Sequence, residues 1–174
     1  MLAAIQRRLF GALFEADRRL PWWGNRLLQE VIPFNRPHRL TIHSLGAFEA
    51  EVRLPFLRRN KNHLGTMHAC AMATAAEYAS GLCVLSVVGM EGHRLVMAEM
   101  NVQYTRRAEG TCIAKASIGP AEREALMREL DANGKHSFAL VSRVTDPSGA
   151  TVAEATVHWH VKRLGASKSS AALA

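Results

Sequence analysis

The stretch from Asn62 to Gly81, NHLGTMHACAMATAAEYASG, constrains the fold more than any other part of the chain. Alanine and other small residues dominate it, and their spacing predicts a helix over roughly 66–80 that is apolar nearly all round. We expect Gly81 to mark the end of this helix and Gly89 the following turn. A helix of this kind must be enclosed by other elements, and its small side chains allow a sheet to approach its backbone closely.

Runs of alternating apolar residues lie on both sides of this helix in the sequence. Two β-like runs precede it and about four follow it, over residues 40–45, 48–54, 93–107, 111–118, 136–146 and 151–164. Alternation along 93–107 places Met97 and Glu99 on one side of the strand, and Ala98 and Met100 on the other. The element order predicts an α+β chain with an extra N-terminal helix, in which one curved antiparallel sheet wraps around one long central helix. That architecture is the hotdog fold.

We expect an N-terminal amphipathic helical extension at 1–32, a hotdog domain at 33–164 and a flexible tail at 165–174. The extension has one apolar helical stripe, made of Leu2, Ile5, Leu9, Phe10 and Leu13. Packing of this stripe on its own domain or on a dimer partner is favoured over contact with a membrane surface. Residues 69–90 are long enough to span a bilayer, but a central acid there would cost about 2.5–3.5 kcal/mol. A buried helix in a soluble protein is the better interpretation.

The formal charge of +7 raises the question of nucleic-acid binding. The basic residues are scattered in pairs and aromatic residues are scarce, which favours an anionic small-molecule partner over nucleic acid. Cys70, Cys83 and Cys112 are odd in number and far apart, and this predicts buried, reduced thiols in a cytoplasmic protein. His158 and His160 supply only two potential ligands, so an exposed polar face is favoured over a metal site. Neither a metal nor another cofactor is predicted.

Glu77 is the one acidic residue of the predicted helix, and the helix carries no lysine or arginine to pair with it. Burial would raise the pKa of its carboxyl group, which suits a general base or a nucleophile. His68 lies nine residues earlier, half a turn around the helix and about 13 Å along its axis. The two residues are therefore either unrelated or brought together across two chains, and the second possibility predicts a homodimer with sites at its interface.

This segment resembles the phenylacetyl-CoA-type hotdog thioesterases, and more closely an uncharacterised bacterial branch of that superfamily. Asn62, His68 and Glu77 match the family pattern in type and spacing, and Ala69 stands where the family has glycine. The resemblance implies hydrolysis of acyl-CoA or acyl-carrier thioesters in a homodimer or a dimer of dimers. It implies that the Ala69 N–H binds the developing oxyanion, that Asn62 and His68 orient the carbonyl, and that Glu77 of the other protomer attacks it or activates water.

Met97 stands where many members of the family carry Ser or Thr. The residues expected to contact substrate, including the phosphates of CoA or a phosphopantetheine arm, are Arg58, Arg59, Lys61, Gly65, Arg106 and Arg107. Two alternatives remain open. His63 and Glu77 have the spacing of hotdog hydroxyacyl dehydratases or hydratases, and the departures at Ala69 and Met97 are compatible with a protein that binds acyl thioesters without turnover.

Overall fold

The computed structural model of the protein describes residues 22–89 and 92–164. Helices α1, α2 and α3 span Trp22–Val31, Ala69–Val88 and Pro120–Asn133. Strands β1 to β6 span Thr41–Leu45, Glu49–Leu54, His93–Tyr104, Cys112–Ser117, Lys135–Thr145 and Thr151–Arg163. Short 3₁₀ turns at Pro33–Asn35 and Arg58–Asn60 precede β1 and α2.

The six strands form one antiparallel sheet in the order β1-β2-β4-β5-β6-β3. Helix α2 lies on one face and packs most closely on β2 and β4. Val52 and Ala114 face α2 and are fully buried, whereas Glu51 and Lys115 point away from it and form an ion pair on the outer face. The predicted α+β architecture, a curved antiparallel sheet around a central helix, is confirmed.

Helix α2 is longer than its sequence suggested. Small residues on its buried side, such as Ala75 and Ala79, are fully buried against the sheet. The expected end at Gly81 is wrong, because this glycine lies inside the helix, where the ring of Trp159 occupies the space beside it. A Cβ at Gly81 would meet Trp159 Cη2 at 3.2 Å. The helix ends at Gly89, whose φ of 74° only glycine adopts readily.

A β-bulge in β3 changes which side chains share a face. Met97 pairs with Trp159 and Glu99 pairs with the next residue along β6, His158, so that Ala98 has no partner. The predicted placement of Met97 and Glu99 on one side is therefore wrong. Met97 faces α2 together with Met100, and Glu99 points outward, because a bulge inserts one residue and reverses the alternation beyond it.

The two edges of the sheet differ in which elements lie against them. At the β1 edge, Asn25 of α1 accepts a hydrogen bond from the Ile42 N–H (2.6 Å) and donates one to the Ile42 carbonyl (3.3 Å), and Gln29 donates to the Leu40 carbonyl (3.2 Å). Within residues 22–89 and 92–164, β3 pairs only with β6. Its exposed apolar side chains are Val96 (50%), Met97 (41%) and Tyr104 (46%). Among the described residues, the sheet thus has one edge covered by a helix and one open edge on which apolar side chains are exposed.

The stripe from Leu2 to Leu13 and the tail at 165–174 lie outside the described residues, so the predictions for these segments and for the domain boundaries stay predictions. Helix α2 is long and apolar enough to cross a membrane by length and composition. However, 67% of its most apolar window is buried inside the fold, as expected of a core helix.

Candidate active site

Asn62 shapes the loop that leads into α2. Its Oδ1 accepts hydrogen bonds from the backbone N–H groups of Leu64 (2.9 Å) and Thr66 (3.2 Å), and its Nδ2 donates to Thr66 Oγ1 (2.9 Å). Gly65 is exposed in this turn with φ of 79°. The polar atoms of Asn62 are thus used inside the loop, where they fix the approach to the helix.

Asn60 is a second determinant of this loop, and sequence reasoning missed it. The side chain is fully buried and its Nδ2 donates to the carbonyls of His38 and Pro55, both at 2.9 Å. Its Oδ1 lies 3.0 Å from His38 Nδ1, and its own carbonyl accepts the His68 N–H at 2.8 Å. An asparagine within RRNKN has no pattern that predicts burial, since its partners lie in distant parts of the chain.

The N-terminus of α2 presents one free backbone donor. His68 is the N-cap residue, and its Nδ1 accepts the Cys70 N–H at 3.1 Å. The Ala71 and Met72 N–H groups donate to the His68 carbonyl. Within the described part of the chain, the exposed Ala69 N–H has no acceptor. A free N–H at the positive end of a helix can bind a developing oxyanion.

Glu77 lies on a strip of α2 that the sheet leaves uncovered. Cys70 is exposed and Thr74 and Glu77 are half-buried, and their spacing of four and three residues places all three on one face, here called the open strip. Burial raises the pKa of the Glu77 carboxyl group. Among the ion pairs of residues 22–89 and 92–164, none includes Glu77. A half-buried carboxyl group with a raised pKa suits proton transfer.

Neither histidine of this segment reaches Glu77 within one chain. His68 is engaged as the N-cap, about 13 Å from Glu77 along the helix axis. His63, the histidine of the dehydratase alternative, is exposed in the turn at 62–66. In the described residues, no hydrogen bond joins the Glu77 carboxylate to either ring.

The chain segments that carry the two predicted basic groups are distant in sequence, and both contact Met67. Lys61 forms a β-bridge with Met67, and the Met67 N–H donates to the carbonyl of Ala108 (2.8 Å), the residue that follows Arg107. The Lys61 ammonium lies 3.8 Å from the centre of the Phe56 ring. The group is here called the basic rim and consists of Arg58, Arg59, Lys61, Arg106 and Arg107, whose arginines are all exposed.

The structure corrects one prediction about the cysteines. Cys83 and Cys112 are buried, and burial raises the pKa of their thiols to about 12 and about 11. Cys70 is exposed, so its predicted burial is wrong. The helix around Cys70 is apolar, but Cys70 itself lies on the open strip, which the sheet does not cover.

His160 lies on the exposed outer face as expected, with its Nδ1 2.5 Å from Ser137 Oγ.

Comparisons with known proteins identify a matching family and several similar solved structures. Residues 22–161 match a family described as a domain of unknown function, DUF4442. No curated protein matches the chain. A Pseudomonas aeruginosa protein of unknown function, described as a probable thioesterase, is 27% identical with a TM-score of 0.74, over 85% of this chain and 99% of that chain. A Chlorobaculum tepidum protein of unknown function is 17% identical (TM-score 0.71; 80% and 91% covered). A Staphylococcus aureus thioesterase is 14% identical (TM-score 0.61; 75% and 98% covered).

The fold defines a hotdog protein, and the likeness to a protein described as a probable thioesterase agrees with the predicted resemblance. Within that class, the chain belongs to the DUF4442 family, whose match extends from α1 to near the end of β6.

Proposed function

We propose that the protein hydrolyses the thioester of an acyl-CoA or an acyl-carrier protein, at a site completed by a second copy of the chain. The observation that carries the proposal is Glu77, a half-buried carboxyl group with a raised pKa and no ion-pair partner among residues 22–89 and 92–164. It lies on the same helix as the Ala69 N–H, which has no acceptor among those residues. Packing does not require a carboxylate at this position, and an uncompensated buried charge is costly.

The chemistry follows from these two groups. The Ala69 N–H donates a hydrogen bond to the carbonyl oxygen, where negative charge develops. As a base, Glu77 takes a proton from water, the water oxygen bonds to the carbonyl carbon, the C–S bond breaks, and the departing sulfur receives that proton. As a nucleophile, the Glu77 carboxylate bonds to that carbon and expels the thiolate, and water hydrolyses the resulting anhydride. The two routes differ in whether Glu77 becomes acylated.

The geometry of one helix supports a shared site. Ala69 and Glu77 are eight residues apart, about 12 Å along the helix axis, so they cannot both contact one carbonyl group. The open β3 edge, with Val96 and Met97 exposed, is the place where a second copy would continue the sheet. The β1 edge is covered by Asn25 and Gln29 and is not free for such pairing. A two-fold axis at β3 would bring Ala69 of one copy towards Glu77 of the other.

The basic rim supports a phosphate-bearing substrate. Lys61 is bridged to Met67, one residue before the N-cap of α2, and the Met67 N–H donates to the carbonyl of Ala108, which follows Arg107. A thioester bound at the Ala69 N–H would have its leaving group directed to solvent at this end of the helix. The cations there match the phosphates of CoA or of a phosphopantetheine arm. A cytoplasmic location fits such substrates and the three free thiols.

The direct test is thiol release from a panel of acyl-CoAs. Wild-type protein should release free thiol, and Glu77→Gln should lower kcat by at least about a hundredfold. Glu99→Gln is the matched control, because Glu99 is exposed on the outer face of β3. Full activity in Glu77→Gln would refute the mechanism.

The shared site has a separate test. Asn62→Ala, which loosens the loop before Ala69, is mixed with Glu77→Ala after both proteins have been dissociated. Half of the randomly formed dimers then contain one intact site, so about a quarter of wild-type activity should return. No recovery, with mixed dimers verified by mass, would show that each site is built from one chain.

The same panel decides between the alternatives. Water addition to enoyl thioesters that is lost in His63→Ala would identify a hydratase. Acyl-CoA binding without thiol release, unchanged by Glu77→Gln, would identify a binding protein.

A further inference from the structure

The open strip of α2 ends abruptly one helical turn beyond Glu77. Gly81 is four residues further on and lies on the same face of the helix. Here Trp159 of β6 covers the helix, with its Cζ2 and Cη2 where a Cβ on Gly81 would be 3.3 and 3.2 Å away. Gly81 is buried, whereas Cys70 is exposed and Thr74 is half-buried. The strip is therefore exposed or half-buried from its N-terminal end as far as Glu77 and fully covered at Gly81.

Trp159 is held in this position by hydrogen bonds. Its indole N–H donates to Ser80 Oγ at 3.2 Å, and Ser80 Oγ donates to the Glu77 carbonyl at 2.9 Å. Ser80 is fully buried and Trp159 is 4% exposed. The indole is thus fixed relative to the helix turn that carries the carboxylate. A glycine inside a helix is destabilising relative to alanine, and the close approach of the indole accounts for the glycine here.

Strand β3 runs beside the open strip in the opposite direction. The Tyr104 hydroxyl donates to the Ala69 carbonyl at 3.0 Å, at the open end. Met97 pairs with Trp159 at the closed end. Met100 and Val102 lie between them on the face that points towards α2, and both are only half-buried. The open strip that carries Glu77 is therefore flanked by the apolar side chains of β3 and ends at Trp159.

We propose that Trp159 is the end wall of the acyl-binding space and restricts the protein to short acyl groups. This inference rests on the proposed thioesterase function. A carbonyl carbon at Glu77 leaves about one helical turn, roughly 6 Å, before an acyl chain running towards Gly81 meets the indole. Longer chains have no room in that direction unless Trp159 moves, and the Ser80 hydrogen bond and the contact with Gly81 oppose that movement.

The test is the chain-length profile of thiol release from saturated acyl-CoAs, for wild type, Trp159→Phe and Trp159→Ala. Wild-type kcat/KM should fall steeply beyond short chains. In Trp159→Ala the ratio of long-chain to short-chain kcat/KM should rise by about tenfold or more, since methylene groups in a fitted pocket discriminate on that scale. Trp159→Phe preserves most of the core volume and should give a smaller rise, so it replaces the alanine variant if that protein does not fold.

Val161→Ala is the matched control. Val161 is buried on the same face of β6, beyond Trp159, and pairs with Leu95. It should lower stability and leave the chain-length profile unchanged. Active Trp159 variants with the wild-type profile would overturn the end wall alone. Absence of thiol release by wild type at every chain length would overturn the proposed function and this inference with it.

Discussion

Replacing Asn60 by alanine should destabilise the loop that positions the start of α2. The side chain is fully buried and donates to the carbonyls of His38 and Pro55, both at 2.9 Å. Alanine removes both donors and leaves two carbonyl groups without these partners. An unsatisfied buried polar group costs about 1–3 kcal/mol, so the two together should lower the free energy of unfolding by about 3 kcal/mol. That is a large part of the stability of an ordinary domain.

Urea unfolding at fixed protein concentration measures this change. With a slope of about 2 kcal/mol/M, a loss of about 3 kcal/mol lowers the midpoint by about 1.5 M. Asn62→Ala is the control, because its hydrogen bonds lie in a half-buried surface turn, and it should cost about 1 kcal/mol. His38→Ala in the Asn60→Ala background should be less than additive, since the two residues share a contact. A loss below about 0.5 kcal/mol in Asn60→Ala would refute this account of the loop.

Three further variants test other features. Burial raises the pKa of Glu77, so the folded state binds the proton of this carboxyl group more tightly than the unfolded state does. Glu77→Gln should therefore raise the melting temperature at neutral pH. In thermal scans across pH, this gain should vanish below the usual pKa of 4.5. Asn25→Ala exposes the β1 edge at Ile42 and should lower the free energy of unfolding by about 1–2 kcal/mol and increase light scattering; unchanged values would show that α1 does not protect this edge. Val96→Lys places a charge on the open β3 edge and should shift sedimentation of the proposed dimer towards that of a monomer, while Glu99→Gln should not.

Sequence patterns were sufficient for the architecture because α2 is apolar nearly all round and the remaining segments alternate. They were also sufficient to predict that His68 and Glu77 cannot share a site within one helix, since the distance between them depends only on helical rise. They failed where a distant residue decides the local outcome. Gly81 is predicted to end the helix because the local sequence does not show that the indole of Trp159, on β6, occupies the space where a Cβ would lie. The bulge at Ala98 reversed the faces of β3, and its register is set by pairing with β6, which alternation alone does not reveal.

Gly81 and Glu77 both lower the stability of α2, and they differ in what offsets this loss of stability. Gly81 is offset within one chain, because its missing side chain admits the buried ring of Trp159. Glu77 has no such compensation among the described residues, since burial raises its pKa and no ion-pair partner is present. In a marginally stable protein, a loss of stability that no contact offsets is expected where function requires the side chain that causes it. The direction of the Glu77→Gln effect therefore separates two roles. Higher stability with lost activity marks a functional carboxylate, whereas lower stability would mean that the carboxylate holds the fold together.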